Sequence, residues 1–377
     1  MWHDFEPDYA HPPGETVRQT LDAMGMSQAE FARRADLSTK HVNQIVQGDA
    51  PITPDTALAL ERITRLRAAI WNGLEANYQV ISRLAISRRS LTEEDLAWVR
   101  AMPVRELTQR GFLPDSKDPA TRFEHLLRFF RVANRRAWEA VWLDPDASFR
   151  RSSAFDAKPE AVATWLRLAE LKAAQVDCAP FDKAAFREAT DEIRRWIERP
   201  VSPKLIGQIA ELLARAGVAF VLVRGIEGSR ASGVTRWMSA TKAYIAMSLR
   251  YKRDDHFWFT LFHELAHVLL HGKRRMFVEF DKGMNVGLAA KVAEAEADRF
   301  AADALIPRAY VPRLRALGSP NKNELNILAR EIHVPPGVLV GRMQREELIP
   351  WSAHNDLRVP IDLEAMTAVI ADPAWDV

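Results

Sequence analysis

The sequence predicts a mainly helical chain that carries a small α+β domain. Helical periodicity dominates residues 14–200, as in Phe123, Leu126, Leu127 and Phe130, or Val162, Trp165, Leu166 and Ala169. Three short strand-like runs follow, at residues 218–223, 233–238 and 243–249. Two long helical patterns, 254–271 and 288–305, come after them, so the small sheet is expected to have three strands and helical cover. A chain of 377 residues is too long for one ordinary domain. The expected order is a flexible arm (1–13), a unit of short helices (14–70), a helical middle (75–200), the α+β domain (204–350) and a tail (351–377).

Composition removes several alternatives. The hydrophobic fraction of 47% and charged fraction of 27% are globular values, which argues against wholesale disorder. Fifty-two basic against 50 acidic residues leave a net charge of +2, no global reason to coat nucleic acid or a membrane surface. Cys178 is the only cysteine, so neither an intrachain disulfide nor a Cys-rich zinc site can form. The opening residues lack the basic and then apolar profile of a signal peptide. The purest apolar run, 218–223, is far short of the ~20 residues of a membrane helix. A soluble, cytoplasmic protein with no membrane partner is expected.

The short helices carry clear start and stop signals. Val17 and Leu21 face inward on a first helix, 16–24, stopped by Gly25. Ser27-Gln28-Ala29-Glu30 reads as a capping box, with Glu30 reaching back to the cap. Phe31, Ala32 and Ala35 then face inward. After a tight turn Ser38 caps a helix at 39–47 that buries Val42, Ile45 and Val46 and stops at Gly48. Thr53-Pro54 starts the next. The outward residues Thr39, Lys40, His41, Asn43 and Gln44, with Gln28 on the preceding helix, are the candidate DNA contacts. Asn and Gln can pair with adenine edges, and Lys40 can reach guanine or phosphate. These stretches, Met26 to Ala32, Val42 to Gly48 and Ile52 to Ala57, resemble the lambda-repressor-like (XRE) helix-turn-helix domain of HigA-type antitoxins. The resemblance implies major-groove recognition by the 39–47 helix, as a homodimer on a palindromic double-stranded operator. Residues 14–70 hold seven basic and seven acidic side chains, so a lone copy lacks the charge for tight phosphate binding.

The second constellation is His263-Glu264-Leu265-Ala266-His267. Histidines at i and i+4 share a helix face and can bind one Zn²⁺, while Glu264 meets the metal-bound water as general base. Glu294 and Asp298, again i and i+4, share a face on the following helix; Glu296 points elsewhere. Glu294 is assigned as third ligand and Asp298 as the acid that orients a ligand histidine, with Glu296 as the fallback ligand. His271 reads as a helix C-terminal histidine facing the last carbonyls before Gly272, or as part of a second metal site. Tyr310 and His271 are the candidates for the oxyanion donor.

Residues 243–250, 259–267 and 294–307, with 328–343 beyond them, resemble the ImmA/IrrE metallopeptidases, a compact gluzincin type. Many members carry Asn where this chain has Asp298; other gluzincins use Asp. The resemblance implies a zinc endopeptidase with one Zn²⁺ per chain whose substrate is a specific protein, typically a repressor. The 243–249 strand is expected to be an edge on which an extended peptide adds. The middle offers a basic stretch, Arg128, Arg131, Arg135, Arg136, Arg150 and Arg151, near Trp138 and Trp142. It reads as a solvated face over an aromatic core, or as a backbone-binding surface. Two functions remain open. One is a DNA-binding regulator with a zinc peptidase domain, its activity either open or latent at rest. The other is an antitoxin-like autoregulator, partnered by a toxin, whose metal domain senses or scaffolds.

Overall fold

The computed structural model describes residues 11–143, 157–271, 277–280 and 288–372. The chain divides into two compact units, residues 1–93 and 94–377. Among the described residues no helix is long and apolar enough to cross a membrane.

The first unit holds α1 (Pro13–Ala23), α2 (Gln28–Ala35), α3 (Thr39–Gln47), α4 (Pro54–Thr64) and α5 (Ala68–Arg89). Ser27, Ser38 and Thr53 cap α2, α3 and α4 by accepting the N–H of Glu30, His41 and Thr56. Only half of the expected capping box forms: the Glu30 carboxylate pairs with Arg33 and Arg34 instead of reaching back. Opposite charges three and four residues on, in the same helix, compete for that side chain. Val17, Leu21, Phe31, Ala32, Val42, Ile45 and Leu60 form one core with Trp71 of α5. Gly14 is required by close approach, because a Cβ there would lie 2.0 Å from the Ile45 carbonyl oxygen. Glu75 of α5, nearly buried, accepts the Ile52 N–H at 3.0 Å and so ties α5 to the α3–α4 loop.

The second unit begins with α6 (Glu93–Ala101), α7 (Val104–Gln109), α8 (Pro119–Phe130), α9 (Arg135–Trp142), α10 (Pro159–Ala174), α11 (Lys183–Arg195) and α12 (Pro203–Arg215). It continues with β1 (Val218–Leu222), β2 (Ala231–Trp237), β3 (Ala243–Met247), α13 (Asp254–Leu270), β4 (Phe277–Phe280) and α14 (Leu288–Leu305). A 3₁₀ turn (Arg308–Tyr310), α15 (Val311–Ala316), α16 (Lys322–Ile332), α17 (Pro336–Arg345) and a last 3₁₀ turn (Asn355–Leu357) complete it.

The three expected strands are present and β4 joins them, in the order β1-β3-β2-β4. β1 pairs with β3 in parallel, whereas β2 runs antiparallel to both β3 and β4. This corrects the expectation that 243–249 is an edge. β3 is hydrogen-bonded on both sides, so its backbone groups are already satisfied and no peptide can add to it. Alternation sends Phe220, Leu222, Ile245 and Met247 into a core shared with Trp258, Leu261 and Leu265 of α13. α10 also packs against the strands. Every residue of β1 and β3 is buried, as expected of strands that read as continuous apolar runs.

Among the helices before the sheet, Trp138 and Trp142 are buried and pack edge-on against Phe130. Arg128, Arg131 and Arg136 are exposed, and Arg135 pairs with Glu94, Asp95 and Glu139. Arg150, Arg151 and Gly272 lie outside the described residues. Lys172 of α10 donates to the carbonyls of Leu222, Val369 and Ala371 at 2.6–2.9 Å, anchoring the C-terminal segment. Burial lowers its pKa to about 8.

Candidate functional sites

In the first unit α3 turns Thr39, Lys40, Asn43 and Gln47 outward, all exposed, while Val42 and Ile45 hold the opposite face in the core. His41, Gln44 and, on α2, Gln28 are half-buried at the surface. The backbone reason is local: Ser38 starts α3, and Gly48, in the left-handed region at φ 81°, ends it.

In the second unit α13 and α14 lie side by side and bring three donor groups together. His263 Nε2 and His267 Nε2 are 3.0 Å apart. Glu294 offers Oε2 at 3.1 Å from the first and Oε1 at 3.6 Å from the second. A tetrahedral ion with bonds of about 2.0–2.1 Å spaces its donors about 3.3–3.4 Å apart. The two imidazoles and the carboxylate therefore fit a single zinc-sized cation.

The far nitrogen of each histidine is also engaged. His263 Nδ1 lies 3.1 Å from Asp298 Oδ1, and Asp298 Oδ2 lies 2.8 Å from Arg345 Nη2. His267 Nδ1 lies 2.9 Å from His271 Nδ1, whose Nε2 is 3.2 Å from Glu296 Oε2. One tautomer set satisfies both chains. His263 Nδ1–H donates to Asp298, His267 Nδ1–H donates to His271, and His271 Nε2–H donates to Glu296. Both Nε2 atoms are then left as lone pairs for a cation. His271 thus faces His267 and Glu296 rather than the helix carbonyls. Glu296, the fallback ligand, sits at the end of this outer chain, away from the donor cluster.

Burial sets the charge states. Desolvation lowers the His267 pKa to about 4, so the ring is neutral at pH 7, the form that coordinates a metal. Burial opposes ionisation of Glu294, but without a cation the alternative tautomers, which turn Nε2–H of His263 and His267 toward it, outweigh burial and lower its pKa to about 2. Burial likewise opposes ionisation of Asp298, and His263 and Arg345 more than offset it, holding the carboxyl below its usual range.

Glu264 is fully buried on the sheet side of α13. The Thr235 hydroxyl of β2 donates to its Oε2 at 2.6 Å. At Gly233 a Cβ would lie 2.3 Å from Glu264 Oε1 and 2.9 Å from Thr260 Cγ2. The β2–β4 register shifts between Ala231 and Gly233, a bulge next to the site. Sequence reasoning missed Thr235, Gly233 and Arg345. A signal existed only for Gly233, since a lone glycine within a strand marks close backbone approach. Tyr310 packs on the hydrophobic core.

Comparison with known proteins agrees with this division. Residues 17–71 match a helix-turn-helix family model, and residues 235–344 match a peptidase-family model described as an IrrE N-terminal-like domain. Over 66 residues the chain is 29% identical to an uncharacterized HTH-type transcriptional regulator, YddM, of Escherichia coli K12; the match covers 17% of this chain and 70% of that protein. Two solved structures align with 22% of this chain, each at 27% identity and a TM-score of 0.21. One is an addiction module antidote protein of the HigA family from Coxiella burnetii, of which 96% is covered. The other is the Pseudomonas aeruginosa antitoxin HigA with the higBA promoter, of which 98% is covered.

Proposed function

We propose that this chain, which carries a helix-turn-helix domain followed by an IrrE N-terminal-like peptidase domain, is a DNA-binding regulator with a zinc-dependent endopeptidase site. The observation that carries the reading is the convergence of His263, His267 and Glu294, with Glu264 buried one residue from the first histidine. His263, His267 and Glu294 would hold one Zn²⁺ per chain. When bound, the ion would supply Lewis acidity toward a peptide carbonyl and an attacking water. Glu264 takes a proton from the attacking water and returns it to the leaving amine. Thr235 holds the carboxylate in place, Asp298 and Arg345 orient His263, and His271 with Glu296 orients His267. The substrate is a specific protein, a repressor by resemblance. The 39–47 helix reads an operator, with Gln28, Thr39, Lys40, His41, Asn43 and Gln44 as the contacts, in a homodimer.

The experiment is metal analysis of protein purified without chelator, beside cleavage of candidate partner repressors by wild type and Glu264→Gln. One zinc per chain in both, with cleavage by wild type alone, supports the proposal. A metal-free protein that takes up no added zinc ends it. A second reading draws on the depth of the site, since His263 and His267 are each only 2% exposed and Glu264 not at all. In that reading the metal domain senses or scaffolds an antitoxin-like autoregulator with little proteolysis. Normal regulation by a Glu264→Gln strain under every inducing condition would favour it.

A further inference from the structure

A cavity of about 590 Å³ lies beside the N-terminal half of α13, lined by that helix, β2, α14, α17 and the segment after it. Its size falls within the roughly 300–1,000 Å³ of small-molecule sites. Its chemistry is two-sided. Leu305, Ile306, Val338 and Phe259 supply apolar wall, and Tyr251 and His256 stack with ring centroids 4.1 Å apart. Against this stand four guanidinium groups, Arg253, Arg342, Arg345 and Arg358, and one carboxylate, Asp255.

Two of the charged groups are built in rather than solvated. Asp255 and Arg358 are 7% and 9% exposed and pair with each other at 2.9 Å. Arg342 and Arg345 pair with Glu346 and Asp298, which do not line the cavity. Arg253 donates to the carbonyls of Asn355 and Arg358 and pairs with no carboxylate among the described residues. Arg342 Nη1 and Arg358 Nε are buried and make no hydrogen bond among the described residues. A guanidinium group that lines a cavity can meet a planar anion with two parallel N–H bonds.

We propose that this cavity binds a small organic anion, a carboxylate or phosphate on an apolar or aromatic body, and that its occupancy acts on the neighbouring metal cluster. The link is Arg345. Its guanidinium stacks 4.2 Å from the Phe259 ring in the cavity wall, and its Nη2 holds Asp298, which in turn holds His263. An anion that draws on Arg345 competes with Asp298, and linkage requires the metal to alter anion binding by the same factor. The binding claim stands on the cavity alone; the coupling claim rests on the zinc reading above.

The test titrates 4-phenylbutyrate and phenyl phosphate into zinc-free Glu264→Gln protein by calorimetry, with 4-phenylbutanamide as the neutral match. Peptidase activity is not needed, so failure of the peptidase reading leaves the result interpretable. Binding of the anions, roughly tenfold or more tighter than the amide, is expected. Arg342→Met and the cavity-filling Ala302→Trp should each weaken it by a similar factor. No binding of either anion at millimolar concentration to folded protein overturns the proposal, as does equal binding of the amide. So does displacement of the probes by an acidic peptide at far lower concentration, which would make the cavity a subsite for substrate. Chelator competition then measures zinc affinity with and without 4-phenylbutyrate. A change of roughly threefold or more supports the coupling, and an unchanged affinity overturns it.

Discussion

The two candidate sites stand in opposite relations to solvent. On α3, Thr39, Lys40, Asn43 and Gln47 face outward, and the helix is held from behind by Val42 and Ile45. On α13, His263, Glu264 and His267 face inward, and Asp298 of α14, His271 and Thr235 of β2 hold their polar atoms in place. An outward recognition face is free to vary without touching the core behind it. An inward cluster is both site and structure, so its substitutions act on metal, geometry and stability together.

The sharpest break in that contrast comes from the inward site. His263→Ala should abolish stoichiometric zinc, read by metal analysis, and Glu264→Gln should keep the metal while lowering cleavage by about 10²–10⁴-fold. Zinc retained by His263→Ala would dismantle the donor set. Next in size, Asp298→Ala should weaken zinc by about 10–100-fold, since it removes the acceptor of a ligand imidazole's N–H. Glu296→Ala, one histidine further out, should leave the metal in place. Zinc loss in Glu296→Ala with retention in Glu294→Ala would exchange their roles.

On the outward site Asn43→Ala with Gln44→Ala should cost about 1–3 kcal/mol per lost base contact in operator binding. Thermal stability should stay within about 0.5 kcal/mol, because surface replacements away from caps and core are nearly neutral. Random-duplex selection with the double variant checks the first part and denaturant titration the second. A large stability loss would show that the recognition face is not separable from the fold.

The smallest effect is on acid stability of the metal-free protein. His267 has its folded pKa lowered to about 4 from an ordinary 6.5, so the unfolded state takes up its proton first and stability falls as pH drops from 6.5 toward 4. Asp254 runs the other way. Burial, with Asp255 beside it, raises its pKa to about 6, so the folded state gains a proton first and stability rises as pH falls from 6 toward 3.8. The two oppose each other across pH 4–6, and the net slope should be shallow. Asp254→Asn should steepen the acid loss by removing the opposing group. An unchanged slope would mean that the Asp254 carboxyl is not raised by burial as described.

Legibility followed distance along the chain. The helix starts at Ser27, Ser38 and Thr53 and the stops at Gly25 and Gly48 were readable because a cap spans three residues. The α14 boundaries at Leu288 and Leu305 matched the apolar pattern and Pro307. The pairing of Glu294 and Asp298 on one face was readable from helix geometry, and the structure sets both against His263. Glu30 was misjudged because local arginines competed for it, and 243–249 was misplaced at an edge because strand order leaves no trace in a strand's own composition.

From the sequence alone came the identity of the two constellations, the residue types in them, and the helices that present them. Each depends on periodicity, capping or i, i+4 spacing within one element. Tertiary structure decided which groups finish the inward site. Thr235 reaches Glu264 from β2, Gly233 makes room for it, and Arg345 reaches Asp298 from α17. These contacts join residues 29, 31 and 47 positions apart (264 − 235, 264 − 233 and 345 − 298). No spacing rule spans such separations, because only the packing of helix on sheet and helix on helix sets the distance between them.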